Sequence, residues 1–379
     1  VNRWYLNLKQ LFLLITFCSG SVFYSIAQVN LQKDSITRKG KHRKIFGFPA
    51  MIYSPETTLA FGGAGNLYFK LSRDSAVRTS YVQGLVLYTL RGQAVLGTES
   101  TIFFPGERYI LKTHASASYF PDRFWGLGNQ SRSEDLEKYT IGQFYIYPQL
   151  LRKIYRNFFL GISYEMQNVF KFEYGEGKPP GGSLFDIENV NGRHGSIVAG
   201  LGLVMQWDGR NNAFSPSKGF YLSYTVNDFT TRLGSSYAYT NHFIDLRKYY
   251  SVGRKDNVIA FQVVGNFNEG IVPIRSMANI GSNSMMRGYY EGRYVDKNLF
   301  GMQAEYRFHL KGRFGMVLFT ALGRVGSQVA DVVSFQNLKP SLGTGLRYAV
   351  DKKEKLNLRL DFGVGNQSNG FYFNLIEAF

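Results

Sequence analysis

The chain has 379 residues, with 32 Phe, 26 Tyr, 41 Gly and one Cys, and only 19% of it is charged. It is too aromatic for a disordered chain, and a single Cys excludes a disulfide scaffold or a Cys-rich metal module. A net charge of +17 would suit nucleic acid, but the basic residues gather at turns such as Arg152-Lys153, with no basic helix or phosphate loop, so no nucleic-acid partner is expected.

At the N-terminus, Arg3 and Lys9 precede a continuous apolar run from Leu11 to Phe17, and Ser25 and Ala27 place small residues before Gln28. This predicts a secretory signal peptide over residues 1–27, cleaved after Ala27. Phe17 before Cys18 rules out a lipoprotein signal. Residues 28–43 follow as a short basic periplasmic leader, too small for a folded domain.

From residue 44 onward the pattern has period two. Lys112, His114, Ser116 and Ser118 oppose an apolar or small face of Tyr109, Leu111, Thr113, Ala115, Ala117 and Tyr119. Further on, Leu356, Leu358, Leu360, Phe362 and Val364 alternate with Asn357, Arg359, Asp361 and Gly363. No stretch reaches roughly 18 consecutive apolar residues. The alternating segments run about 10–14 residues, enough for a tilted strand to cross a bilayer. Sixteen of them are predicted, and the long connections (121–138, 173–194, 269–299, 326–339) all fall on one side. The prediction is an all-β, 16-stranded antiparallel transmembrane β-barrel over residues 44–379, integral to the bacterial outer membrane, with its lipid bilayer as first partner. The first strand, 44–54, holds Gly47 and Pro49. Either they weaken its pairing with the last strand or Pro49 lies just outside it. The last strand, 370–379, carries Phe371, Phe373 and Phe379 on one face, with Glu377 as a misfit on that face.

No enzyme or cofactor is expected. The five His (His42, His114, His194, His242 and His309) are scattered without metal-site spacing, and no G-x-S-x-G occurs. Gly62-Gly63-Ala64-Gly65 lies within a strand, where it serves close packing.

Two segments are more specific than patterning requires. One runs from Trp207 to Tyr221 and contains Asp208, Arg210, Phe214, Pro216 and Gly219; the other is Gly281–Gly292, with Arg287-Gly288-Tyr289 at its centre and Glu305 downstream. Together with Ile52–Thr57 and Gly343-x-Gly345-x-Arg347, they resemble the BamA/TamA superfamily of outer-membrane assembly barrels, also called the bacterial surface antigen family. The resemblance implies a periplasmic turn at Asp208–Gly219 and a sixth surface loop whose tip, Arg287-Gly288-Tyr289, enters the lumen to meet Glu305. It implies insertion, assembly or translocation of outer-membrane proteins at a seam between first and last strands. Client outer-membrane proteins, and periplasmic or lipoprotein partners, would then be expected. The alternative is a passive pore, or a surface or structural barrel without insertase activity. Two departures stand out. Ala321 occupies the place of a family Asp, which leaves Arg287 one carboxylate short. The family's periplasmic POTRA domains are missing, so a partner supplies them or the activity differs.

Overall fold

The computed structural model describes residues 43–379 apart from 73, 75, 76, 254–256, 335, 353 and 354. The predicted signal peptide and all of the leader but Arg43 lie outside the described residues. The first strands are β1 (Arg43–Ser54), β2 (Thr58–Phe69), β3 (Ser80–Thr89), β4 (Ala94–Phe103), β5 (Tyr109–Phe124) and β6 (Glu137–Tyr155). Then come β7 (Phe158–Tyr174), β8 (Ser196–Asp208), β9 (Gly219–Phe229), β10 (Tyr239–Val252), β11 (Asn257–Gly270), β12 (Ala278–Ile280) and β13 (Tyr294–Asp296). The chain ends with β14 (Asn298–Lys311), β15 (Phe314–Gly326), β16 (Lys339–Asp351), β17 (Leu356–Gly365) and β18 (Ser368–Leu375). Sixteen of these form one sheet in sequence order, and β12–β13 is a separate hairpin between β11 and β14. Every sheet neighbour pair is antiparallel, as short consecutive connections require.

The alternation is turned inside out relative to a water-soluble protein. On β14, Gln303, Glu305 and Arg307 are buried and Tyr306 is exposed; on β17, Arg359 and Asp361 are buried and Leu360 exposed. Ile45 is 78% exposed, Phe170 68% and Leu203 65%. Charges inside and aliphatic side chains outside are stable only where hydrocarbon surrounds the sheet, so the sheet is a transmembrane barrel.

β1 and β18 lie side by side. Among the described residues no hydrogen-bonded ladder joins them, whereas every other neighbouring pair is laddered. Pro49 stands opposite Gly63 in an unbroken β1–β2 register, so it lies inside the strand. Proline in a strand interior belongs at a free edge or a bulge. Glycines cluster on both flanks of this seam. Gly47, Gly65 and Gly84 face one another across β1, β2 and β3, and Gly343, Gly363 and Gly370 do so across β16, β17 and β18.

Strand parity puts the connections 125–136, 175–195, 271–297 and 327–338 at one end of the barrel. The segment 271–297 bends inward there. Its Val295 carbonyl accepts from Gly128 N (2.7 Å), and Val272, Ile274 and Val295 pack with Phe124 and Phe185 in the main apolar cluster. A hairpin inside this connection was not expected from the sequence, because strands of three residues are too short to show a period.

The predicted last strand is corrected at its end. β18 stops at Leu375, where Ile376 takes a left-handed φ of 68° and the chain turns into the lumen. Phe379 therefore does not face outward with Phe371 and Phe373. Its ring lies 6.3 Å from Tyr249, and the Arg307 guanidinium sits 5.1 Å over it. The driving residue is Glu377. Its carboxylate accepts from Arg347 Nε (2.7 Å) and Asn357 Nδ2 (2.8 Å), contacts unavailable on the lipid face.

Candidate functional site

The site is built where the inward segment 271–297 meets the wall formed by β14–β18. Arg287 is fully buried, at 0% exposure. Its guanidinium donates to Glu305 on β14 through Nη2 and to Asp361 on β17 through Nη1. It also lies 3.6 Å from the centre of the Phe319 ring on β15. One cation is thus held by two carboxylates and an aromatic face, which replaces the hydration it has lost. The expected shortage of carboxylates does not occur. Ala321 does leave the place on β15 empty of charge, but Asp361 supplies the second acid two strands further on. Ala321 instead packs with Met286, Tyr289 and Val325.

The two acids are shared outward. Glu305 accepts from Arg307 Nε at 2.7 Å, and Asp361 accepts from Arg347 Nη1. Arg359, opposite Arg347 in the ladder, lies 3.6 Å from Asp361 and donates to the Asn283 carbonyl (2.8 Å). Glu377 joins from the C-terminal segment through Arg347. The result is a continuous ion-pair network in which Arg287 is the member contributed by the loop.

Backbone at the tip comes unusually close to the wall, and glycine makes this possible. A Cβ on Gly363 would lie 2.7 Å from the Arg287 carbonyl carbon, and one on Gly365 2.5 Å from the Tyr289 ring. Gly288 has φ 113°, in the region that favours glycine, and a Cβ there would strike the Val364 backbone at 2.7 Å. The Arg287 carbonyl accepts from Ser341 Oγ on β16, and Tyr289 Oη donates to the Pro340 carbonyl (2.7 Å). Gly288 N donates to Tyr372 Oη on β18 (2.9 Å), which in turn donates to the Tyr289 carbonyl (3.1 Å). On the far side of the seam, Glu291 N donates to Glu56 Oε1 in the β1–β2 turn (2.8 Å).

At the opposite mouth, the turn after β8 folds across the lumen. Arg210 forks back onto Asp208 (Nε–Oδ1 2.8 Å, Nη2–Oδ2 3.1 Å), and Arg78 from the β2–β3 connection reaches the same carboxylate at 2.7 Å. Phe214 lies between Tyr68 (6.5 Å) and Tyr81 (6.1 Å). Pro216 is buried, and Gly219, at φ 112°, allows the Gly209 carbonyl to approach where a Cβ would stand 2.2 Å away. The Phe214 carbonyl also accepts from Glu377 N (3.3 Å), so the turn touches the chain's last residues.

The structure thus brings Arg287, Gly288, Tyr289 and Glu305 together, and Asp208, Arg210 and Phe214 at the other end. It separates Phe379 from Phe371 and Phe373. Asp361, Arg347, Tyr372 and Glu56 belong to the site without having been singled out for it. The glycines that alternate with charge on the inward faces, Gly343 and Gly345 before Arg347, and Gly363 and Gly365 after Asp361, were the available signal.

A wall of sixteen antiparallel strands, apolar outside and ionic inside, with a long loop bent into the lumen, defines a transmembrane β-barrel of the outer-membrane class. The chain belongs to the Omp85 superfamily: the model for the Omp85 superfamily domain matches residues 91–379. It is an integral outer-membrane protein. Its fold is similar to that of BamA from Haemophilus ducreyi lacking POTRA domains 1–3, with a TM-score of 0.56 and 11% identity over 88% of this chain and 70% of that one. CdiB from Acinetobacter baumannii gives a TM-score of 0.56 and 12% identity, covering 87% of this chain and 59% of that chain. CdiB from Escherichia coli gives 0.55 and 10%, covering 88% and 62%. The chain therefore spans about three-fifths of either CdiB. No curated protein sequence matches it.

Proposed function

We propose that this barrel inserts, assembles or translocates outer-membrane proteins, using the boundary between β1 and β18 as the place where client chains enter. The single observation that carries this reading is that boundary. It is the one junction of neighbouring strands that lacks a ladder among the described residues, with a proline inside the edge strand. Edge strands with unpaired N–H and C=O groups are ready templates for another strand. Periplasmic or lipoprotein partners deliver the clients in this reading.

Reconstitution of the purified protein into liposomes, with an unfolded client barrel added outside, tests it. Client folding is expected to be faster than on empty liposomes, with further gain when periplasmic extract is supplied. Equal rates in all three cases would overturn the proposal. A passive pore is less well supported, because the Arg287 loop and the Phe214 turn occupy opposite ends of the lumen. Steady large conductance of the reconstituted protein would favour it.

A further inference from the structure

We infer that the tip of the sixth loop is a clasp across the seam, fixed to the β17–β18 side and releasable on the β1 side. The inference rests on the reading of the β1–β18 boundary as the working part of the barrel.

One short stretch, Arg287 to Glu291, touches both flanks of the unladdered junction. On the C-terminal flank it is held by the Arg287–Asp361 pair, by the two hydrogen bonds of Tyr372 Oη, and by backbone packed on Gly363. On the N-terminal flank, among the described residues, it has one hydrogen bond, from Glu291 N to the Glu56 carboxylate. The β1–β2 turn also rests on β18, where a Cβ on Gly370 would come within 2.5 Å of Pro55 Cγ. Where a ladder is missing, these cross-seam contacts must carry the closure that main-chain pairs carry elsewhere.

The two arms are unequal. The C-terminal arm combines a fully buried, charge-assisted pair with backbone contacts, and parting them leaves two buried charges each with one partner fewer. Among the described residues, the Glu56 arm is a single bond to a turn, and its donor is the backbone of Glu291, whose own side chain is also a carboxylate. When the seam opens, the β1–β2 turn therefore leaves first and the loop travels with β17 and β18. The geometry sets the order of events as well as the presence of a lock.

Cysteines at 55 and 370, introduced as Pro55→Cys and Gly370→Cys in a Cys18→Ser background, give a disulfide reporter of the closed seam in liposomes. Three versions of this reporter are compared: alone, with Glu56→Ala, and with Tyr372→Phe. Folded, heat-modifiable protein is required of each, and protease resistance of 271–297 is read in parallel. Glu56→Ala is expected to lower the rate of disulfide formation roughly 5-fold, about the worth of one net hydrogen bond, while the loop stays protected. Tyr372→Phe is expected to lower the rate and also to expose the loop. Unchanged coupling in both variants would overturn the clasp. Loss of loop protection with Glu56→Ala would overturn the order of release. If coupling behaves as expected but client insertion is absent, the clasp stands and the proposed function falls.

Discussion

The guanidinium of Arg287 lies between Glu305 on β14 and Asp361 on β17, so one side chain from the loop ties together a panel four strands wide. Removing either acid leaves a buried cation with half its compensation. Asp361→Ala is expected to cost about 3–5 kcal/mol, and Asp361→Asn less, because the amide oxygen still accepts. The temperature at which the compact band on semi-native gels becomes the extended one measures this. A shift in Glu305→Ala with none in Asp361→Ala would show that the second acid is idle.

Placing the missing acid on β15 is not expected to help. Ala321 packs with Met286, Tyr289 and Val325, so Ala321→Asp puts a carboxylate into an apolar cluster. A lowered transition temperature is expected, in the wild-type background and in Asp361→Ala alike. Rescue of Asp361→Ala by Ala321→Asp would contradict the packing described.

Gly363→Ala isolates the close approach of loop to wall. The added methyl would meet the Arg287 peptide at 2.7 Å, a backbone contact that no side-chain rotation can relieve. The barrel is expected to keep its heat-modifiability while 271–297 becomes sensitive to added protease. A fully protected loop would mean that the tip is docked elsewhere.

Glu291 gives loop docking a pH dependence. Its position within the lumen, where the side chain still meets solvent, together with the Glu56 carboxylate and Asp122 set against the opposing Arg275, pushes its carboxyl up to about 7. In a released loop it would titrate near the ordinary value of 4.5. Docking is therefore unpenalised below the lower value, loses strength as pH rises between the two, and levels off above about 7. Protection factors of 271–297, taken relative to the base-catalysed intrinsic rate at each pH, should be larger at pH 5 than at pH 8, and Glu291→Gln should flatten the difference. Smaller protection factors at pH 5 would reverse the sign.

Phe214→Ala tests the turn at the other mouth. It empties the space between Tyr68 and Tyr81, and losing a packed Phe costs up to about 3–5 kcal/mol in a fully buried setting, less here, where Phe214 is half-buried. Single-channel recordings are expected to show more frequent openings than wild type, while protection of 271–297 is unaffected. Indistinguishable recordings would remove the turn as an obstruction.

The strand count and the sidedness of the long connections were legible because a membrane-crossing strand must alternate over its whole length. Arg287 and Glu305 were legible as a pair through the resemblance to the BamA/TamA superfamily, which implies that the loop tip meets the strand that follows it. Asp361 was visible as a polar member of an alternating strand and not as a partner, since only the register of β14 through β17 brings it within reach of Arg287. Glu56 and Tyr372 were hidden for the same reason: they lie 235 and 84 positions from the residues they bind. Phe379 was misplaced because periodicity carries no warning of a left-handed residue such as Ile376. The awkward Glu377 was that warning.

The paired glycine rows, 47–65–84 and 343–363–370, lie on either side of the junction that lacks a ladder among the described residues. Side chains brace a sheet against folding along its width, and these two lines have none. If the seam opens as proposed, the cylinder would crease along these lines like a carton beside its flap, and a doorway would swing on two narrow panels while the remaining staves keep their curvature.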